Sequence, residues 1–113
     1  MSPITTHVLD TSSGTPAGGL AVGLSFREKD GWHELGRGRT NKDGRVADLL
    51  ADGTALRVGT YRLRFETGAY FRGRSKPCFY PEVSIIFEIQ AANEHYHVPL
   101  LLSPFGYSTY RGS

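Results

Sequence analysis

The sequence predicts an all-β antiparallel sandwich, and three observations carry that expectation. Apolar and polar residues alternate in run after run, which puts one face of each segment in a core and the other toward water or a partner. Turn-forming dipeptides, Asp30-Gly31, Asp43-Gly44 and Asp52-Gly53, separate the runs at short intervals. Glycine fills 14 of the 113 positions, well above the roughly 7% of an average chain, which suits many tight connections.

Taken in order, a first strand is expected over residues 4–9, where inward Thr6 and Val8 leave His7 outward. Ser13-Gly14-Thr15-Pro16 then turns the chain. Leu20, Val22, Leu24 and Phe26 mark the inward face of a strand over residues 20–28, and Asp30-Gly31 leads into another over 32–39. Within it, Gly36-Arg37-Gly38-Arg39 superficially resembles an RNA-binding tract; as a single copy between strand signals it reads as a loop. Asn41-Lys42-Asp43-Gly44 turns into a strand over 45–49. Tyr61, Leu63 and Phe65 alternate along 60–67, and Val83, Ile85, Phe87 and Ile89 along 82–90. The last strands fall at 95–102 and 106–111. Only residues 69–75 read as a short helical turn, with Gly73 weakening the pattern. No linker, repeat or low-complexity segment divides residues 1–113, so a single domain is expected.

Composition narrows the function. A net charge of +2, with Lys and Arg scattered, gives no footprint for nucleic acid. No apolar run approaches the roughly 18 residues of a membrane helix, so no membrane partner is expected. Cys78 is the one cysteine and has no intramolecular partner, which fits a reducing compartment. Met1–His7 shows no basic segment followed by an apolar one. The cytoplasm is the expected compartment, with a peroxisome or export of a processed precursor left open. Ile86 falls on an outward face, and Leu9 and Leu101 share faces with histidines; apolar residues so placed suggest that a subunit interface covers them.

Four histidines, His7, His33, His95 and His97, are the candidates for proton transfer. His97 points opposite to Val98 and Leu100, so it faces outward if those two fill the core. Arg45 follows the Asn41–Gly44 turn. That turn faintly suggests a calcium loop, but Arg39 and Leu50 would occupy its first and last ligand positions, so the motif fails. His7, His95 and His97 form a conceivable three-histidine zinc site, without a Cys or carboxylate at supporting spacing. Ser103, Ser108 and Ser113 lack the Gly-x-Ser-x-Gly setting of a nucleophile, and no phosphate loop or dinucleotide fingerprint is present.

The chain ends in Tyr110-Arg111-Gly112-Ser113, preceded by His95-Tyr96-His97-Val98-Pro99-Leu100-Leu101-Leu102-Ser103-Pro104-Phe105-Gly106-Tyr107-Ser108-Thr109. This run closely resembles the 5-hydroxyisourate hydrolases, the transthyretin-like enzymes of urate breakdown. Thr5-Thr6-His7-Val8-Leu9-Asp10, Gly14-Thr15-Pro16-Ala17, Thr40-Asn41-Lys42-Asp43-Gly44-Arg45, Thr67-Gly68-Ala69-Tyr70-Phe71 and Phe79-Tyr80-Pro81-Glu82-Val83 extend the likeness over nearly the whole chain. The resemblance implies a transthyretin-like sandwich of two four-stranded sheets with one short helix. It also implies a homotetramer, a dimer of dimers, with sites in the channel between dimers. It makes His7, Arg45, His97 and Ser113 catalytic and adds Tyr110, Arg111 and Gly112, with His7 and Arg45, as substrate-binding. His95 is left without a part. The implied reaction opens 5-hydroxyisourate to 2-oxo-4-hydroxy-4-carboxy-5-ureidoimidazoline with no cofactor and no metal. Transthyretin itself transports hormone on this fold, so a small-ligand carrier is the alternative from another class.

Overall fold

The computed structural model describes residues 2–113, and its core follows the period-two pattern. Leu20, Val22 and Leu24 pack with Tyr61, Leu63 and Phe65 from one layer, against Ile4, Val8, Val98, Leu100 and Leu102 from the other. Each large apolar side chain removed from water in this way contributes roughly 1.5–3 kcal/mol. Phe26 meets Tyr61 edge-on, and Tyr61 stacks on Phe87.

In chain order the elements are β1 (Ile4–Asp10), β2 (Thr15–Pro16), β3 (Ala21–Glu28), β4 (Gly31–Arg39), β5 (Arg45–Val46) and β6 (Gly59–Phe65). Then follow α1 (Thr67–Arg72), β7 (Val83–Ile89), β8 (Tyr96–Ser103) and β9 (Gly106–Thr109). One sheet runs β4-β3-β6-β7; the other runs β2-β1-β8-β9, with β5 also pairing β1. The second of these counts five strands rather than four because two short pieces share one side of β1: β2 pairs Leu9 and Asp10, and β5 pairs Thr6 and His7.

Several expectations need correction. The sandwich is not antiparallel throughout: β1 and β8 run parallel, in register from Ile4–Tyr96 to Asp10–Leu102. Alternation specifies which face a residue takes, not the direction of the neighbouring strand, and these two strands come from opposite ends of the chain with no hairpin between them. Thr15–Pro16, expected only as a turn, pairs as β2. Gly36–Arg39 is no loop but the end of β4, paired with Ala21–Leu24. β5 stops at Val46, and Leu49 is buried as an apolar plug rather than as a strand residue. β9 stops at Thr109, whose hydroxyl bonds the Pro99 carbonyl. The helix begins at Thr67, two residues early, and ends at Arg72.

That helix is short, with no side-chain N-cap, so tertiary contacts hold it. Thr67 Oγ1 donates to the Tyr80 carbonyl, and Tyr70 Oη donates to Asp10 Oδ2 at 2.8 Å. Asp10 is buried at the end of β1. Burial opposes its ionisation, but bonds from the Ser12 hydroxyl, Tyr70 and the N–H groups of Ser12 and Ser13 outweigh that, so its pKa lies below the usual carboxylate value. Burial and this carboxylate push the Tyr70 phenol up to about 12.

Candidate active site

The site is built on the outward face of the β1–β8 pair. Thr6 and Val8 are buried in the core, so Thr5, His7 and Leu9 project the other way. Register then assembles the rest: His7 stands opposite Arg45 on one side and Pro99 on the other, and Thr5 stands opposite His97. Opposed residues on neighbouring strands share a face. Histidines from the two ends of the sequence and an arginine from its middle therefore meet on one patch, with half-buried Leu9 and Leu101 beside them.

A tight turn positions both His7 and Arg45. Asn41 Oδ1 accepts the N–H groups of Asp43 and Arg45 at 2.9 and 3.0 Å. Gly44 has φ of +76°, and a Cβ there would lie 2.4 Å from the Val8 carbonyl, so only glycine lets the turn press onto β1. Val8 N–H bonds Gly44 O at 2.8 Å to close the contact. The Asp43 carbonyl then sits 2.9 Å from His7 Nε2. A carbonyl can only accept, so that nitrogen carries a proton, and neutral His7 keeps its lone pair on Nδ1. Arg45 is exposed, and among the described residues no carboxylate pairs with it.

His97 is half-buried, with Nδ1 2.8 Å from Thr5 Oγ1. Burial holds its pKa below the ordinary imidazole value, and the charges of Arg45, His7 and His95 push the same way, against a hydrogen bond with the Thr5 backbone. The ring is thus neutral at pH 7 and free to accept a proton.

The tail crosses this histidine. Gly112 N–H donates to the His97 carbonyl at 2.8 Å, an isolated bridge beyond the end of β9. A Cβ at residue 112 would lie 2.7 Å from His97 Cδ2, so glycine lets the chain lie against the ring. Arg111 anchors the crossing: its Nη2 donates to Glu94 Oε1 at 2.8 Å and its guanidinium covers the Tyr96 ring at 4.6 Å. Tyr110 and Ser113 are exposed on either side, and neither side chain is hydrogen-bonded to another described residue. The structure thus brings His7, Arg45, His97 and Gly112 together directly. Arg111 points to Glu94 rather than into the patch. His33 lies on β4, bonded to Asp30.

One neighbour escaped the sequence reading. Thr5 touches both His97 and His95, the latter through Nε2 at 3.2 Å. Its signal was its place two residues before His7 on the same strand face. Among the described residues no group of three His, Cys, Asp or Glu is arranged to hold a metal ion. His7 Nε2 is turned to the Asp43 carbonyl, while His95 and His97 share a hydroxyl.

Comparison with known proteins adds the family. The model of the HIUase/transthyretin family matches residues 4–112. The 5-hydroxyisourate hydrolase of Mus musculus is 49% identical over 114 residues, covering 99% of this chain and 96% of its own. The solved structure of Klebsiella pneumoniae 5-hydroxyisourate hydrolase is 39% identical with a TM-score of 0.85, covering 97% of this chain and 98% of its own. Sea bream transthyretin, solved in complex with thyroxine, is 32% identical with a TM-score of 0.91, covering 98% and 95%. Fold similarity alone does not separate enzyme from carrier here, since the transthyretin superposes at least as well as the hydrolase. Sequence identity favours the enzymes. The chain belongs to the HIUase/transthyretin family, on its hydrolase side.

Proposed function

We propose that this chain hydrolyses 5-hydroxyisourate in urate degradation, using the outward face of β1, β5 and β8. One observation carries the reading: the register sets Arg45 opposite the proton-fixed His7 and places half-buried His97 two residues along on the adjoining strand, so a guanidinium and two imidazoles share one face. An exposed arginine alone is ordinary; beside two imidazoles it joins a charge stabiliser to groups that can move a proton, as attack on a cyclic amide requires.

Hydrolysis needs a base for water, a charge stabiliser and a proton for the leaving nitrogen. His97 takes a proton from water as its oxygen bonds the cyclic amide carbon, an effect typically worth roughly 10²–10⁴-fold. Arg45 offers forked N–H donors to the oxyanion that develops. As the C–N bond breaks, its electron pair stays on the ring nitrogen, which is protonated from the histidine pair, and the ring opens to 2-oxo-4-hydroxy-4-carboxy-5-ureidoimidazoline. Tyr110 and Ser113 orient the substrate beside His97, and Arg111 with Gly112 holds that tail in place. Nothing in these steps calls for a metal or a cofactor.

The half-buried Leu9 and Leu101 beside the histidines, and Ile86 at 55% exposure on the other sheet, fit a homotetramer, a dimer of dimers with this face lining the channel. Its mass would be about 50 kDa from 12.4 kDa chains.

The test is to generate 5-hydroxyisourate with urate oxidase and follow its decay with and without the protein. Accelerated decay that survives EDTA dialysis is expected. Unaltered decay would remove the reading, and activity lost to EDTA and restored by zinc would replace it with metal chemistry. Thyroxine-like binding with no hydrolysis would favour the carrier.

A further inference from the structure

His95 has no role in the reaction above, yet it is hydrogen-bonded to the partner of the base. We propose that Thr5 and His95 are positioning residues that hold the His97 proton on Nδ1, leaving the Nε2 lone pair toward the open face. The inference rests on the reading of His97 as base and assigns what orients it.

The geometry is a chain of three groups. His97 Nδ1 lies 2.8 Å from Thr5 Oγ1, and His95 Nε2 lies 3.2 Å from the same oxygen. A hydroxyl has a single proton, so it can donate to only one of the two rings. If it donates to His97, that ring carries its proton on Nε2 and has no lone pair facing the site. If it donates to His95, His97 must be the donor to Thr5, and its Nε2 is bare. The second order is favoured on two grounds. The Thr5 backbone acts to favour the protonated form of the His97 ring beside it. His95 is exposed, so its Nδ1–H can be satisfied by water while its Nε2 accepts.

The surroundings keep His97 in this form. His7 from β1, Arg45 from β5 and His95 all disfavour a second proton on it, and Arg111 of the tail is neutralised by Glu94. The base step then needs no further group. The proton from water bonds to Nε2, the imidazolium keeps its Nδ1–H on Thr5, and the Nε2 proton later passes to the leaving nitrogen. Thr5 is buried, so the hydroxyl cannot easily be replaced by solvent when it is removed.

The experiment compares the full chain with Thr5→Val, Thr5→Ser, His95→Ala and His95→Gln. Imidazole ¹⁵N shifts without substrate read the His97 tautomer, and pH profiles of kcat and kcat/KM read its use. Wild type should show His97 protonated on Nδ1. Thr5→Val should redistribute the proton, lower kcat by roughly 10- to 100-fold, and move the acid limb lower, because the imidazolium loses an acceptor; KM should change little. Thr5→Ser should restore all three readouts. His95→Gln, whose amide oxygen can accept from Thr5, should stay near wild type, whereas His95→Ala should shift the tautomer and lower kcat. Wild-type His97 protonated on Nε2, or an unmoved tautomer and acid limb in Thr5→Val, would overturn the proposal. Should Thr5→Val fail to fold, an unmoved tautomer in His95→Ala would do so, since His95 is exposed. A shifted tautomer with unchanged turnover would instead uphold the positioning and remove His97 from the chemistry.

Discussion

The two sheets bury similar apolar faces, but their outward faces balance charge in opposite ways. On the β4-β3-β6-β7 sheet, Arg37 forks onto Glu34 through two bonds of 2.8 and 2.9 Å, and Arg64 meets Glu82 at 2.9 Å and Glu66 at 3.6 Å. Arg27 and Arg62 lie over the Trp32 ring at 4.8 and 4.5 Å. A groove of about 470 Å³, lined by Glu34, Arg37, Arg39, Arg64 and Glu66, opens on this face; Arg37 and Arg64 are paired with carboxylates there, while Arg39 bonds the Gly19 carbonyl, and no histidine lines it. On the β1–β8 face the cation Arg45 has no carboxylate partner among the described residues, and two imidazoles share its face. Concavity and charge density alone point to the sheet opposite the one proposed for catalysis. What sets the β1–β8 face apart is a cation joined by groups that can take up and release a proton.

The largest expected effects come from breaking the β1–β8 face. His97→Ala and His7→Ala should each lower kcat by roughly 10²–10⁴-fold with the fold intact, as judged by circular dichroism and turnover. The acid limb of kcat/KM should lie below the ordinary imidazole range, because His97 has a lowered pKa and activity falls only as pH drops through it. A limb above that range would mean that another group is the base.

Next in size is the tail. Gly112→Ala places a Cβ 2.7 Å from His97 Cδ2, so either the tail or the ring must shift. Misplacement of this order should cost about 10²-fold in turnover without loss of thermal stability. Wild-type kinetics in that variant would mean that the crossing plays no part in positioning His97.

Smaller still, and separating stability from activity, is the clasp between α1 and β1. Tyr70→Phe removes a bond to a buried carboxylate and should destabilise by about 1–3 kcal/mol with kcat unchanged, read by denaturant melts and kinetics. The folded Asp10 pKa is lowered, so its contribution is present above the ordinary value of 3.8 and is lost as pH falls through the folded value. The folded Tyr70 pKa is raised, so its contribution is present below 10.0 and is lost as pH rises through about 12. The smallest effect is expected at His33→Ala: it bonds an exposed Asp30 on β4, and both melting temperature and turnover should match wild type.

Much of this contrast was legible in the sequence, and the omissions have physical causes. Alternation placed Thr6 and Val8 inward and His7 outward, and it did the same for Val98, Leu100 and His97, so the site's side of the sheet could be read directly. Register could not, because period two is indifferent to whether a neighbour runs parallel; β1 and β8 therefore had to be seen to set Thr5 opposite His97. The Asn41–Arg45 turn was recognisable by composition, but its docking on Val8 depends on a backbone approach at Gly44 that no local pattern encodes. Thr5 went unnoticed because a threonine in a strand is ordinary; its meaning arises only from two histidines sharing its hydroxyl. Arg111 was legible only as a guanidinium in a tail; its bond to Glu94 and its place over Tyr96 depend on tertiary contacts that no local pattern encodes.

The claim that the Arg45 guanidinium beside the histidines belongs to the site, and the paired arginines of the other face do not, is tested most directly by one paired substitution. Arg45→Lys and Arg37→Lys preserve charge and alter only the planar fork, one on each face. Decay of enzymatically generated 5-hydroxyisourate, followed side by side with wild type, should collapse in Arg45→Lys and remain at wild-type rate in Arg37→Lys. Near-normal turnover in Arg45→Lys, or equal loss in both variants, would contradict the account.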